Sequence, residues 1–172
     1  IVTHDREEAL ALGDVMAAMN EGSVQQVGAP HDVFSRPANA EVAKIVGVET
    51  VVRGRTLQTT DSLATIKVGD QTLTGLGGPE LGSDVFVCIR AEDVVLEKVD
   101  AASTSARNHL KGTVLDMAPA GPLVKVNVDC GFPLGVLVTK SALEELGLEP
   151  GSPVRAAIKA GSVHLVPRRH GD

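Results

Sequence analysis

Apolar and polar residues alternate with a period of two along several short segments between residues 50 and 168. The segments are TIKV, QTLTGL and DVFVCIR in the first stretch, and LVKVNV, LGVLVT, PVRAAIKA and SVHLVP in the second. This alternation predicts β-strands that each turn one face toward a core. Turn residues such as Gly69-Asp70 separate the segments, so the pattern predicts short strands joined by tight turns.

The second half of the chain repeats the first half in a degraded form. Residues 53–57 read RGRTL and residues 111–115 read KGTVL, and the halves end in the related runs IRAEDVVL and IKAGSVHLV. A fixed-order repeat of about 60 residues predicts two similar modules side by side. About five short strands in each module, with little helix, favour a mainly β fold of two small Greek-key barrels of the OB type. The small, polar segment DAASTSA predicts a linker, which gives modules over 48–100 and 101–168 and a tail over 169–172.

Residues 1–47 have a different pattern, in which helices alternate with a hairpin. Asp5 and Glu8 have the spacing of a capping box and predict a helix start. A hairpin with its turn at Glu21-Gly22 follows, and Pro30 and Asn39 each predict the start of a short helix. We therefore expect an α+β segment before the first module.

One helix is predicted inside the second module. Ser141 and Glu144 have capping-box spacing, which makes Ser141 the predicted N-cap of a helix over 142–146. Gly147 then predicts the end of that helix, because glycine adopts the left-handed conformation of a C-terminal cap.

The composition limits the classes of function. Of the 172 residues, 43% are apolar and 22% charged, as in an ordinary globular protein, but only 2% are aromatic. Base stacking needs aromatic platforms, and a net charge of −6 opposes binding to a phosphate backbone, so we expect no nucleic-acid partner. The chain has no run of 18 apolar residues, so the sequence predicts no membrane-spanning helix. Ile1 stands where an initiator Met would, which predicts a piece of a longer protein.

The chain also offers no pattern of its own for metal binding or catalysis. Cys88 and Cys130 stand in strand-like runs, and their spacing implies no disulfide, so we expect two thiols in a core. The scattered histidines lack the spacing of a zinc site, and no G-x-S-x-G motif places a nucleophile. We expect neither a metal centre nor an enzyme active site in these residues.

Two stretches in the first 47 residues resemble the end of an ABC-transporter nucleotide-binding domain. VTHDREEA resembles the switch segment, and G-x-P-x-x-V-F-x-x-P-x-N-x-x-V-A-x-I-V-G, from Gly28 to Gly47, resembles the segment that joins an importer ATPase to its regulatory domain. The resemblance implies that His4 contacts the γ-phosphate of ATP in a full-length parent. The chain lacks a G-x-x-x-x-G-K-[ST] loop, so we expect ATP and Mg²⁺ to act only in that parent and this chain not to be an enzyme.

Residues 104–166 resemble the molbindin (Mop) module, which binds molybdate or tungstate. The matching stretches are TSARNHLKGTV, VTKSALEELGL and PGSPVRAAIKAGSVHLV, while residues 49–98 resemble the related transport-associated OB (TOBE) repeat. The resemblance implies an oxyanion site made of hydroxyls, cations and consecutive backbone amides, shared between modules or subunits. It assigns that role to Ser105, Arg107, Thr139, Lys159, Ala160, Gly161 and Ser162, and secondarily to Asn108 and Ser141.

The chain departs from the family pattern at one position. The family reads T-x-x-S, but Thr139 is followed three residues later by Ala142, and Ser141 stands one place early. In the first module Arg90 takes the place of Lys159, but two acids follow it in AEDV, and acids repel a dianion. We therefore expect the first module to be structural or to supply only part of a site.

Together these resemblances predict the regulatory region of an importer ATP-binding subunit that senses molybdate or tungstate and feeds back on transport. They imply a homodimer that meets membrane-spanning permease subunits on the cytoplasmic face of the cell membrane. Two alternatives remain. One is a structural dimerisation domain of a sugar, iron or sulfate importer ATPase, and the other is a free oxyanion-storage protein of the molbindin type.

Overall fold

A computed structural model describes residues 1–3, 5–77, 79–100 and 104–168. The first 47 residues form the expected α+β segment. Asn39 caps its last helix, since its Oδ1 accepts a hydrogen bond from the Val42 N–H at 2.8 Å. The elements are α1 (Arg6–Leu12), β1 (Met16–Asn20), β2 (Ser23–Gly28), α2 (Pro30–Ser35) and α3 (Ala40–Ile45).

The rest of the chain is mainly β, as predicted. Its first half holds β3 (Thr50–Thr60), β4 (Leu63–Val68), β5 (Gln71–Leu76), β6 (Asp84–Ile89), a 3-10 turn (Ala91–Asp93) and β7 (Val94–Glu97). Its second half holds β8 (Asn108–Ala120), β9 (Leu123–Asp129), β10 (Pro133–Thr139), α4 (Lys140–Leu146), β11 (Pro153–Ile158), a second 3-10 turn (Ala160–Ser162) and β12 (Val163–Pro167). None of the described helices has the length and apolar character needed to cross a bilayer.

The two halves exchange their last strands. The first barrel is closed in the order β12-β5-β4-β3-β6, and the second is a five-stranded sheet in the order β10-β9-β8-β11-β7 with its edge strands in contact. The chain therefore passes between barrels twice. We call residues 90–93 the first crossover and residues 159–162 the second crossover. The predicted boundary near residue 100 divides the chain in sequence, but it does not divide the strands between the barrels.

The exchange follows the repeat closely. In the first half Thr50 pairs with Ile89, and in the second half Asn108 pairs with Ile158. After each crossover the next strand continues the other barrel, since Val94 pairs with Ile158 and Val163 pairs with Ile89. A pseudo-two-fold axis thus relates the two halves.

The apolar faces of both barrels form one continuous core. It contains Ile66, Leu73 and Val87 from the first barrel and Val126, Val136 and Ile158 from the second, all at most 1% exposed. Because the core is aliphatic, it agrees with a chain that has almost no aromatic residues.

A second cluster attaches the α+β segment to the first barrel. Phe34 and Val42 pack there with Cys88 and Val166. Both cysteines are free and buried, and burial raises the pKa of Cys88 to about 12 and that of Cys130 to about 11. They therefore remain protonated thiols at neutral pH, as expected of core residues.

Candidate functional site

Arg107 and Lys159 lie together at the second crossover. Asn108 and Ile158 form the last pair of the β8–β11 ladder. One step beyond that pair, Arg107 precedes β8 and Lys159 follows β11, so both cations stand at the same end of this strand pair. Ser105 precedes Arg107 by two residues, and all three side chains are exposed.

The three residues after Lys159 form a tight turn that presents backbone amides. The Ser162 N–H donates to the Lys159 carbonyl at 3.0 Å, and the turn lies against β5 of the first barrel. An ideal Cβ on Gly161 would meet only Leu76 Cδ1, at 3.7 Å, so the turn is not sterically closed. No acidic residue occurs in its first turn. The arrangement joins two cations to a run of amides and suits an anion with several oxygen acceptors.

Gly161 and Ser162 also line a cleft of about 650 Å³ between the α+β segment and the first barrel. Arg36 and His164 line the same cleft. Burial lowers the pKa of His164, and the guanidinium groups of Arg36 and Arg90 lower it further, against the opposing effect of a hydrogen bond to the Pro37 carbonyl. His164 is therefore neutral at pH 7, and the charged side chains that line the cleft are those of Arg36, Arg90 and Asp93.

Asn108 has a structural role that the sequence analysis did not predict. Its side chain is only 3% exposed. Its Oδ1 accepts from the Thr74 N–H at 2.6 Å, and its Nδ2 donates to the carbonyls of Thr74 at 2.9 Å and Ile158 at 3.2 Å. The amide thus joins β5 of one barrel to β11 of the other. The apolar period of β8 indicates this, because Asn108 lies on the same face as buried Leu110.

Asn108→Ala should destabilise the fold markedly. The change leaves a backbone N–H and two carbonyls of the barrel junction without their partner, which costs about 2–3 kcal/mol. Asn127→Ala is the matched control, since Asn127 is partly exposed and donates to Asp116 on the surface. Urea denaturation of the two variants checks this, and equal midpoints would contradict the bridging role.

Thr139 and Ser141 lie apart from Lys159 within one chain. Thr139 pairs with Leu123 on β9, which pairs with Ala120 at the far end of β8 from Asn108. The predicted N-cap at Ser141 is wrong. Thr139 caps α4, because its Oγ1 accepts from the Ala142 N–H at 3.1 Å, and the Ser141 hydroxyl lies 3.1 Å from the Thr139 hydroxyl. The helix therefore runs from Lys140 to Leu146, and Gly147 caps its end in the left-handed conformation, as predicted.

Arg90 at the first crossover serves as a brace. Its guanidinium donates to the carbonyls of Phe34 at 2.6 Å and Val46 at 3.2 Å, which ties the α+β segment to the first barrel. His4, the predicted ATP-contacting residue, lies outside the described residues. No group of three or more potential metal ligands occurs in the described ranges.

One family model matches the second half of the chain. It is the model of the TOBE domain, and it covers residues 104–165. This part of the chain is therefore similar to TOBE domains. The matched segment includes the second crossover and ends inside β12, the strand that closes the first barrel.

Curated relatives match almost the entire chain. The molybdate/tungstate import ATP-binding protein WtpC of Pyrococcus horikoshii is 38% identical over 167 residues, 96% of this chain and 46% of the relative. Its namesake from Pyrococcus abyssi is 32% identical over 95% of this chain and 46% of the relative. The spermidine/putrescine import ATP-binding protein PotA of Nitrosomonas europaea is 32% identical over 82% of this chain and 40% of the relative. The chain thus spans less than half the length of these relatives, and the resemblance to importer ATPases is confirmed.

A solved structure has the same architecture. The crystal structure of the cytoplasmic molybdate-binding protein ModG with molybdate bound superposes with a TM-score of 0.61 at 28% identity. It covers 70% of this chain and 98% of ModG. The predicted mainly β fold of OB-like barrels is confirmed by this likeness.

Proposed function

We propose that this chain is the oxyanion-sensing regulatory region of an importer ATP-binding subunit, with molybdate or tungstate as its ligand. The juxtaposition of Arg107 and Lys159 beside the amides of the 160–162 turn carries the proposal. The naming of the WtpC relatives and the likeness to molybdate-bound ModG support it.

The chemistry of a tetrahedral dianion suits this position. Two cations balance its charge, and the amides of Ala160 and Gly161, together with the Ser162 hydroxyl, offer donors to its oxygens. The hydroxyls of Thr139 and Ser141 lie at the other end of the second barrel. A complete site therefore takes these hydroxyls from a second copy of the chain, so binding and homodimerisation are linked.

In the longer parent, the same region would regulate ATP hydrolysis. The parent would bind ATP and Mg²⁺, with His4 near the γ-phosphate, and would meet permease subunits at the cytoplasmic face of the membrane. Oxyanion bound between regulatory barrels slows transport only if it favours one arrangement of the ATPase dimer over another. Adding molybdate to the full-length dimer should then lower its ATPase rate, and an unchanged rate would remove the feedback from the proposal.

Isothermal titration of the chain with molybdate, tungstate and sulfate tests the binding itself. We expect affinity for molybdate or tungstate to fall about 10- to 100-fold in Lys159→Ala, because a charge-assisted hydrogen bond is lost. Lys67→Ala is the matched control, since Lys67 is an exposed lysine on β4 of the first barrel.

The same titration decides between this function and a purely structural one. The similarity to a polyamine importer subunit shows that such regions also occur in relatives named for other substrates. No heat and no thermal stabilisation with any of the three oxyanions, in a chain shown to be a folded dimer, would favour a structural dimerisation domain.

A further inference from the structure

The two crossovers share the hydrogen bond that closes their 3-10 turns. At the first, the Asp93 N–H donates to the Arg90 carbonyl at 3.1 Å, and at the second the Ser162 N–H donates to the Lys159 carbonyl at 3.0 Å. Each 3-10 turn lies against a strand of the opposite barrel, the first on β10 and the second on β5. The two crossovers are therefore pseudo-equivalent positions of the fold.

The strands beside the crossovers are also fastened alike. The Gly135 N–H on β10 donates to Thr50 Oγ1 at 3.1 Å, and the Thr74 N–H on β5 donates to Asn108 Oδ1 at 2.6 Å. Thr50 and Asn108 are the first residues of β3 and β8. The residues just before them, Glu49 and Arg107, are therefore equivalent as well.

Glu49 and Arg107 have opposite charges, and this difference changes what each crossover holds. Glu49 Oε2 accepts a hydrogen bond from the Ala91 N–H, the first amide of its turn, at 2.9 Å. The equivalent amide at the second crossover belongs to Ala160, and no described carboxylate accepts a hydrogen bond from it. In the proposed function, an oxyanion oxygen accepts a hydrogen bond from the Ala160 amide at the second crossover. At the first crossover, the Glu49 carboxylate oxygen already occupies the equivalent position on the Ala91 amide.

We propose that the Glu49 carboxylate is a built-in anion that occupies the oxyanion position of the first crossover, so that only the second crossover binds free oxyanion. The inference rests on the proposed function of the second crossover. A tethered carboxylate is always at high local concentration, and its charge repels an approaching dianion. Glu92 and Asp93 in the same turn add to this repulsion. The residue before the first strand of each half, Glu49 or Arg107, then determines whether the crossover of that half binds free oxyanion.

The test consists of substitutions that give each crossover residues of the other. Arg107→Glu should place a carboxylate on the Ala160 amide, abolish molybdate binding and keep the melting temperature at or above that of the wild type. Arg107→Gln is the matched control, and it should lower the affinity about tenfold while molybdate still raises its melting temperature. An Arg107→Glu variant less stable than Arg107→Gln would overturn the proposal, because the turn would then not accept a carboxylate.

The reciprocal variant carries Glu49→Arg, Glu92→Gly and Asp93→Ser, which removes the three acids of the first crossover and keeps Arg90 as the brace to Phe34 and Val46. Equilibrium dialysis at molybdate concentrations that saturate the second crossover should show additional molybdate bound per chain. The added site should be the weaker one, because no helix like α4, with its Thr139 and Ser141, is described between β5 and β6. A folded triple variant that binds only the wild-type amount would overturn the inference and leave the proposed function standing. A wild-type chain that binds no molybdate would instead remove the proposed function.

Discussion

Deletion of residues 163–172 should open the first barrel and leave most of the second intact. The deletion removes β12, which lies between β6 and β5 in the first barrel although it follows the second module in sequence. It also removes Val163 and Val166, which are at most 1% exposed and whose burial contributes about 1.5–3 kcal/mol each. Such a loss is a large share of the stability of an ordinary domain, about 5–15 kcal/mol.

Amide hydrogen exchange read by mass spectrometry locates the damage. Protection should be lost in β5 and β6 and retained in β8, β9 and β10. Deletion of residues 169–172 alone is the matched control, since it leaves β12 in place. Loss of protection in β10 and β11 with a stable first barrel would show that the strands are not exchanged, because an unexchanged β12 would take the place of β7 beside these strands.

The strand exchange illustrates where sequence reasoning stops. The alternation of apolar residues located the strands of both halves, because period two records which face of a strand is buried. It does not record which barrel buries that face. The runs Val94–Leu96 and Val163–Leu165 both carry apolar residues two positions apart, and their partners Ile158 and Ile89 are equivalent in the repeat. The local sequence pattern therefore does not distinguish a strand that stays in its own module from a strand that is exchanged between modules.

At the candidate site, too, the sequence motif predicted some residue roles and left others to be found from the structure. The family resemblance assigns Arg107 and Lys159 to one site, and in the structure each lies one residue beyond the last ladder pair, Asn108 and Ile158. It also assigned Asn108 a share in binding, although the amide is committed to Thr74 and Ile158. Thr139 and Ser141 are both good capping residues, so the sequence alone did not separate them. Glu49 was missed because its role emerges only when the two halves are compared at equivalent positions.

Gly112→Ala should be among the most destabilising single substitutions in the chain. An ideal Cβ at Gly112 would lie 2.6 Å from Val128 Cγ1, 2.7 Å from Cys130 Sγ and 2.9 Å from the Asp129 carbonyl oxygen. The carbonyl belongs to the backbone of β9 and moves only if the ladder itself moves. We expect a loss of about 3 kcal/mol or more, the upper range for overpacking a close-packed core.

The repeat supplies a second test of the same contact. Gly54 is the equivalent residue of β3, and its ideal Cβ would lie 2.5 Å from Ile66 Cγ2 and 3.2 Å from the Lys67 carbonyl oxygen. Gly54→Ala should be less harmful than Gly112→Ala, because its closest neighbour is a side-chain methyl group and its carbonyl is farther away. Gly28→Ala is the control, since its nearest neighbour, Val33 Cγ2, lies at an ordinary 3.5 Å. The urea midpoint should be lowest for Gly112→Ala, intermediate for Gly54→Ala and highest for Gly28→Ala. A Gly112→Ala midpoint equal to that of Gly28→Ala would show that Gly112 does not lie so close to the Asp129 carbonyl.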